Sequence, residues 1–191
     1  MEINFIKNFI LNEGTETEEK LSRVKLNYSL YDLEPVISQD TMNYHYGKLY
    51  KTYVDRFNNK EGDVEFNEAG AYLHQLYFEQ FREPKSGSKP FDESAEFLDK
   101  HFAGTGLNEL KEAFTQEAMK IQGSGWVYWA KNGQIKTIKN HAMRSDIVLL
   151  IDWWEHAWAL DYQADKSKYL ENIWKIIDWS VINRRLSKNS G

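Results

Sequence analysis

The sequence contains no cysteine. Disulfides, thiolate metal sites and cysteine nucleophiles are therefore excluded, and any metal must be held by histidine, carboxylate or water. Positive charge is in deficit: 24 Lys and Arg stand against 29 Asp and Glu, a formal net charge of −5. Nucleic-acid-binding surfaces are usually basic, so no nucleic-acid partner is expected. Lys136, Lys139 and the Arg184–Arg185 pair read as solvated faces. Long apolar runs are missing too, and no stretch reaches the roughly 20 residues of a membrane-spanning helix. No membrane partner is expected. Ile3, Phe5, Ile6, Phe9, Ile10 and Leu11 have helical spacing, but Glu2, Lys7 and Asn8 interrupt them. A secretory signal needs an unbroken apolar core and a small-residue cleavage site. Neither is evident, so the expected location is cytoplasmic. Several catalytic signatures are also missing. There is no HExxH, no glycine-rich phosphate loop and no Glu three residues before a His. Gly123-Ser124-Gly125 lacks the GxSxG frame of a serine hydrolase and reads as a tight turn.

What is present describes a globular chain. Its 191 residues are 41% hydrophobic and 28% charged, near the globular average. A chain of this length buries a core without covalent staples. The aromatic share is 15%, with 7 Trp and 11 Tyr. Either a thick core or a shell of rings around a site would account for it.

Residues 12–22 are polar and acidic and read as a loop or a short solvated helix. Ser38, with Asp40 behind it, opens a helix as a plausible N-cap. Met42, His45, Leu49, Thr52, Tyr53 and Phe57 then recur at three- and four-residue steps. A second helical run covers 65–81, with Ala69, Tyr72, Leu73, Leu76 and Phe81 as its apolar members. The two predict an antiparallel helical hairpin. The segment 83–90, which holds two of the three prolines, is the best domain boundary. Beyond it, helical runs at 92–103 and 107–120 precede strand-like segments 126–130 and 134–138. These flank Asn132-Gly133, a hairpin signal. Residues 147–151 read as a short buried strand and 168–186 as helix. The fold class is α+β: an extension over 1–23, a helical hairpin domain over 24–88, and a C-terminal α+β domain over 89–191. The last carries a small three-stranded antiparallel sheet flanked by helices.

Of five histidines, His45 and His74 lie on apolar faces of the two hairpin helices. His156 follows a buried strand, four residues after Asp152. An unpaired carboxylate beside an apolar strand is costly to bury, and a metal ion would relieve that cost. On spacing alone, an ordinary reading stands beside this one. A lone His on an apolar helix face is commonly a hydrogen-bonded core residue, and Asp152 is a possible helix N-cap.

Longer segments carry a more specific message. Leu33-Glu34-Pro35 through Asn58, containing Tyr44-His45-Tyr46-Gly47-Lys48, is one. Gly123-Ser124-Gly125-Trp126 and Asp152-Trp153-Trp154-Glu155-His156-Ala157 are others, together with a tail from Asp161 through Tyr169 and Trp174 to Trp179. Over roughly 26–186 the chain resembles the iron/manganese superoxide dismutase family. The resemblance implies one iron or manganese ion per subunit, held by His45, His74, Asp152 and His156. That ligand set suits M(III)/M(II) cycling, with superoxide as substrate and oxygen and hydrogen peroxide as products. It implies further roles. His141, after Asn140, stands where the family places the outer donor to the metal's solvent, and Gly70 leaves the alternative donor position vacant. Tyr53 matches the gateway tyrosine, Trp126 and Trp154 the aromatic shell, and Lys48 and Lys166 positions lining the anion funnel. Glu155 matches a residue that contacts the neighbouring subunit, which implies a homodimer and leaves a tetramer open.

Two positions depart from the family together. Leu49 stands where the family has a further, non-ligand His, one residue after the lysine of the first motif, and Ala159 stands for that residue's Tyr partner, a pair hydrogen-bonded near the substrate entrance across the dimer interface. Losing both leaves neither unsatisfied. The departure keeps two alternatives open: a non-catalytic structural relative, and a metal-dependent redox enzyme with peroxidase-like chemistry. His101 matches no functional position and reads as a surface or capping residue.

Overall fold

The computed structural model describes residues 20–102 and 106–187. Residues 1–19, most of the expected extension, lie outside the described residues. The first helix begins as expected: the Ser38 side chain accepts the Thr41 N–H at 3.1 Å and caps α1 (Gln39–Tyr44). The chain then runs through a π-helical segment, His45–Tyr50, into α2 (Lys51–Asn58). The regular helical spacing predicted no such widening; π turns are rare and recur at functional positions. Asp63 caps α3 (Val64–Glu79) by accepting the Phe66 N–H at 3.0 Å. This second helix packs against the first as the hairpin.

The C-terminal part contains α4 (Asp92–His101), α5 (Leu107–Met119) and strands β1 (Gly125–Ala130), β2 (Ile135–Lys139) and β3 (Ile147–Asp152). A 3-10 turn (Glu155–Ala157), α6 (Ala159–Tyr162), α7 (Lys166–Ile173), a second 3-10 turn (Trp174–Ile176) and α8 (Trp179–Ser187) follow. The sheet is antiparallel with order β2-β1-β3. β1 and β3 are buried along their whole length, whereas the edge strand β2 is partly solvated. Their near-continuous apolar composition matches strands covered on both faces. The architecture is the α+β arrangement that the hydrophobic periods indicated.

Two helix ends depart from expectation for one reason. The run predicted to reach 81 stops at Glu79, and the helix predicted over 168–186 breaks before Trp179. Phe81 and Ile177 form a bridge, the Arg82 N–H donates to Ile176 O at 2.9 Å, and the Asp178 N–H to Gln80 O at 2.8 Å. Pairing between distant segments overrides helical propensity here.

The Arg184–Arg185 pair also needs correction. Arg184 is exposed, but Arg185 is 8% exposed. Its guanidinium donates to Leu76 O at 2.6 Å, Val148 O at 3.1 Å and Gln80 Oε1 at 3.1 Å, with Glu79 Oε2 at 3.4 Å. The planar fork with several donors lets one buried arginine tie α8 to α3 and β3.

Candidate metal centre

Four elements meet where the hairpin faces the C-terminal part. The π-helical segment opens on His45, α3 carries His74, β3 ends on Asp152, and the 3-10 turn holds His156. One ligand atom from each lies within 4.8 Å of all the others. Asp152 Oδ2 is 3.2 Å from His45 Nε2, 3.2 Å from His156 Nε2 and 3.8 Å from His74 Nε2. The side chains of His45, His74 and Asp152 are 1%, 0% and 0% exposed, and that of His156 is 12% exposed. The cluster therefore opens on the His156 side.

The protonation pattern suits a cation. His74 Nδ1 lies 2.6 Å from Gly70 O, and a carbonyl only accepts, so Nδ1 carries the proton and Nε2 keeps its lone pair. Both His45 Nε2 and His74 Nε2 are buried, and among the described residues the one polar atom His45 Nε2 approaches is Asp152 Oδ2, while His74 Nε2 makes no hydrogen bond. Burial pushes His45 down to about 4, with neighbouring His156 adding to the effect, and pushes His74 well below its usual value. Burial alone would raise the Asp152 carboxyl, but His156 and His45 beside it hold it well below the usual carboxylate range. Asp152 Oδ1 is oriented by the Trp154 N–H at 2.8 Å. Three imidazoles and one carboxylate converge on one point: His74 Nε2 turns its lone pair toward it, and His45 Nε2 and His156 Nε2 each lie 3.2 Å from Asp152 Oδ2. Unsatisfied buried polar atoms are uncommon, and this donor set fits iron or manganese.

His141 lies within this neighbourhood, although it is no member of the four. It is 8% exposed, not a surface residue. The indole Nε1 of Trp126 donates to its Nδ1 at 3.1 Å, and its Nε2 is buried without a partner among the described residues. Burial pushes His141 down to about 4. Its ring stacks on Trp154 at 4.6 Å between centroids and lies 4.8 Å from Tyr53. Trp154 in turn stacks on His156 at 5.6 Å, and Trp126 meets His74 edge-on at 5.1 Å. Tyr53 is partly buried, 5.1 Å from the His74 ring, and burial pushes it up to about 12. Gly70 makes room for this group: a Cβ there would lie 2.8 Å from Tyr53 Cδ1 and 3.2 Å from His141 Cδ2.

The remaining predicted residues sit further out. Lys48 and Glu155 are exposed. The Lys166 ammonium lies over Trp158 and Trp153, 4.8 and 5.3 Å from the ring centroids. Leu49 is partly buried, and Ala159 packs against the apolar core. His101 is apart from the cluster, its ring against Phe97 at 4.6 Å and over Gly133. Roles for Tyr77, Phe78 and Tyr169 escaped the sequence reading. Phe78 and Tyr77 lie 4.8 and 5.4 Å from the His45 ring. Their only sequence signal is position, three and four residues beyond His74.

Comparison with known proteins identifies relatives along most of the chain. Residues 21–62 match "Iron/manganese superoxide dismutases, alpha-hairpin domain", and residues 90–185 match "Iron/manganese superoxide dismutases, C-terminal domain". Superoxide dismutase [Mn/Fe] of Porphyromonas gingivalis is 35% identical over 189 residues, covering 85% of this chain and 97% of the relative. Superoxide dismutase [Fe] of Bacteroides fragilis is 33% identical with the same coverage. Superoxide dismutase [Fe] of Escherichia coli K12 is 30% identical, covering 85% of this chain and 96% of the relative.

Proposed function

The chain belongs to the iron/manganese superoxide dismutase family, and from that premise we propose that it dismutes superoxide at one iron or manganese ion held by His45, His74, Asp152 and His156. The observation that carries this reading is the convergence of four ligand atoms within 4.8 Å, two of them buried nitrogens that have no partner outside the cluster among the described residues. When bound, the ion supplies one-electron chemistry: one superoxide gives up an electron to become oxygen, and a second takes it with two protons to become hydrogen peroxide.

The residues of the chain do the rest. The Asp152 carboxylate would offset part of the ion's charge, and the three imidazoles would complete the ligand set. His141 keeps a proton at Nε2, because the Trp126 indole occupies Nδ1 as an acceptor. We assign His141 as the hydrogen-bond donor to an oxygen on the open side of the ligands. Tyr53, whose phenol keeps its proton through neutral pH, stands with Phe66 beside His141 and narrows the approach. Trp126 and Trp154 exclude bulk water and strengthen local electrostatics. Lys48 and Lys166 provide positive charge that draws the anion in despite the net charge of −5. A homodimer is part of the reading. Leu160 is 62% exposed and Tyr44 43% exposed, both close in sequence to ligands, and Glu155 is exposed beside them in sequence.

The test is superoxide disappearance per bound ion, on protein with quantified iron and manganese. Decay in proportion to occupancy by one metal is expected, and His74→Ala is expected to lose metal and activity together. Full occupancy without decay would overturn the assignment.

A further inference from the structure

The Asp152 carbonyl ends β3 with an unusual partner. Tyr169 on α7 places its hydroxyl 3.1 Å from Asp152 O, and the Tyr77 hydroxyl on α3 lies 3.0 Å from the Tyr169 hydroxyl. Both tyrosines are 0% exposed. A carbonyl cannot donate, so Tyr169 donates to Asp152 O. Its single proton is then committed, and Tyr77 must donate to Tyr169. The result is a directed chain, Tyr77 to Tyr169 to the Asp152 carbonyl. Burial pushes both phenols well up, reinforced for Tyr169 by the Asp152 charge, so neither proton is lost at neutral pH.

We infer that Tyr169, oriented by Tyr77, is a positioning residue that sets the direction of the Asp152 carboxylate. This rests on the reading of Asp152 as a metal ligand. Three contacts clamp the backbone around Asp152. The Trp153 N–H donates to Gly125 O at 2.9 Å, the Trp154 N–H to Asp152 Oδ1 at 2.8 Å, and Tyr169 holds the carbonyl. The first two orient the peptide after Asp152 and the near carboxylate oxygen. The third holds the opposite side of that same planar amide, so that the backbone from which Oδ2 reaches the imidazoles is fixed from α7 as well as from β1. Tyr77 lies three residues beyond His74, with its ring 5.4 Å from that of His45. It therefore makes the hairpin that carries two ligands support the strand that carries a third. This is the indirect support that tunes metal sites from outside the ligand set.

The direction of the chain makes the inference testable. Tyr77→Phe leaves every remaining polar group paired, because Tyr169 keeps its own acceptor. Tyr169→Phe orphans two groups, the Asp152 carbonyl and the Tyr77 hydroxyl. The double variant orphans only the carbonyl. Buried orphans cost more than lost bonds, so stability is expected to fall in the order Tyr77→Phe, double variant, Tyr169→Phe. A second readout separates positioning from mere stability: release of metal from the holoprotein to a chelator, together with the visible spectrum of the trivalent ion. Tyr169→Phe is expected to release metal about tenfold faster, a change of about 1.4 kcal/mol, and to shift the spectrum. Tyr77→Phe is expected to stay within about twofold. If Tyr169→Phe releases metal at the parent rate with an unchanged spectrum, the positioning role is overturned. If the single variants are equally affected, the direction of the chain is overturned. Asp152→Asn is the control: undiminished metal binding there would sink the ligand assignment itself, which is a different failure.

Discussion

Trp126 Nε1 donates to His141 Nδ1 across 3.1 Å, and this contact decides which nitrogen of His141 carries the proton. An indole only donates, so the neutral imidazole must hold its hydrogen on Nε2, the buried atom with no partner among the described residues. A fixed donor beside a ligand cluster is a specific chemical commitment. His141→Gln keeps an N–H donor, whereas His141→Ala keeps none. Both variants should bind metal normally, because His141 is not a ligand. Turnover per metal ion should fall about a hundredfold in His141→Ala and far less in His141→Gln. Equal turnover in the two, measured by superoxide decay at matched metal content, would remove His141 from the reaction.

Gly70 tests the crowding of the same group. Alanine is a better helix residue than glycine by about 1 kcal/mol. Here its Cβ would lie 2.8 Å from the Tyr53 ring and 3.2 Å from His141. Both neighbours are aromatic rings, one held by a hydrogen bond, so neither yields freely. Overpacking of about 1–3 kcal/mol should exceed the propensity gain. Gly70→Ala should lower the melting temperature and the turnover together. A rise in melting temperature with full activity would contradict the packing described.

His101 gives the opposite expectation, stability without function. Gly133 has φ of +85°, and a Cβ there would sit 2.1 Å from His101 Nδ1. Gly133→Ala should therefore cost about 2–4 kcal/mol, from left-handed strain and the clash combined. Adding His101→Ala removes the clash and leaves the strain of roughly 1 kcal/mol. Denaturant unfolding of the single and double variants should show that partial recovery. His101→Ala alone should leave turnover per metal ion unchanged.

Buried tyrosines set an alkaline limit. The Tyr72 hydroxyl donates to Arg144 O at 3.1 Å, and burial pushes its pKa up to about 12 from 10.0. The folded state holds this proton more tightly than the unfolded chain does. The stabilisation is therefore complete below about pH 10 and is lost as pH rises from 10 to 12. For one phenol the loss is on the order of 2 kcal/mol. Unfolding free energy of the holoprotein should fall across this window, and less steeply in Tyr72→Phe. Identical slopes would show that Tyr72 takes no part.

Much of this molecule was legible in the amino-acid order because the relevant interactions are local or repeat with a short period. Ser38 announced a helix start, since a cap bonds only three residues away. Asn132-Gly133 announced a hairpin, since its geometry lies within the turn. The apolar runs at 126–130 and 147–151 announced strands, and the segment from Asp152 to Ala157 named the family. Tertiary structure alone decided the rest. Nothing local marks Gln80 as a helix end, because its carbonyl accepts the N–H of Asp178 from a distant segment, whereas Asp178 itself caps α8 locally by accepting the Ser180 N–H at 3.0 Å. Nothing local marks Arg185 as buried, because its acceptors lie far along the chain: Leu76 O on α3 is 109 residues away and Val148 O on β3 is 37. The proton on His141 and the two-tyrosine chain behind Asp152 are likewise contacts between distant segments. The residue types that could form the centre were written in the sequence. Which nitrogen donates, and which hydroxyl holds the carbonyl, followed from the folded arrangement, since hydrogen-bond direction depends on the partner that folding supplies.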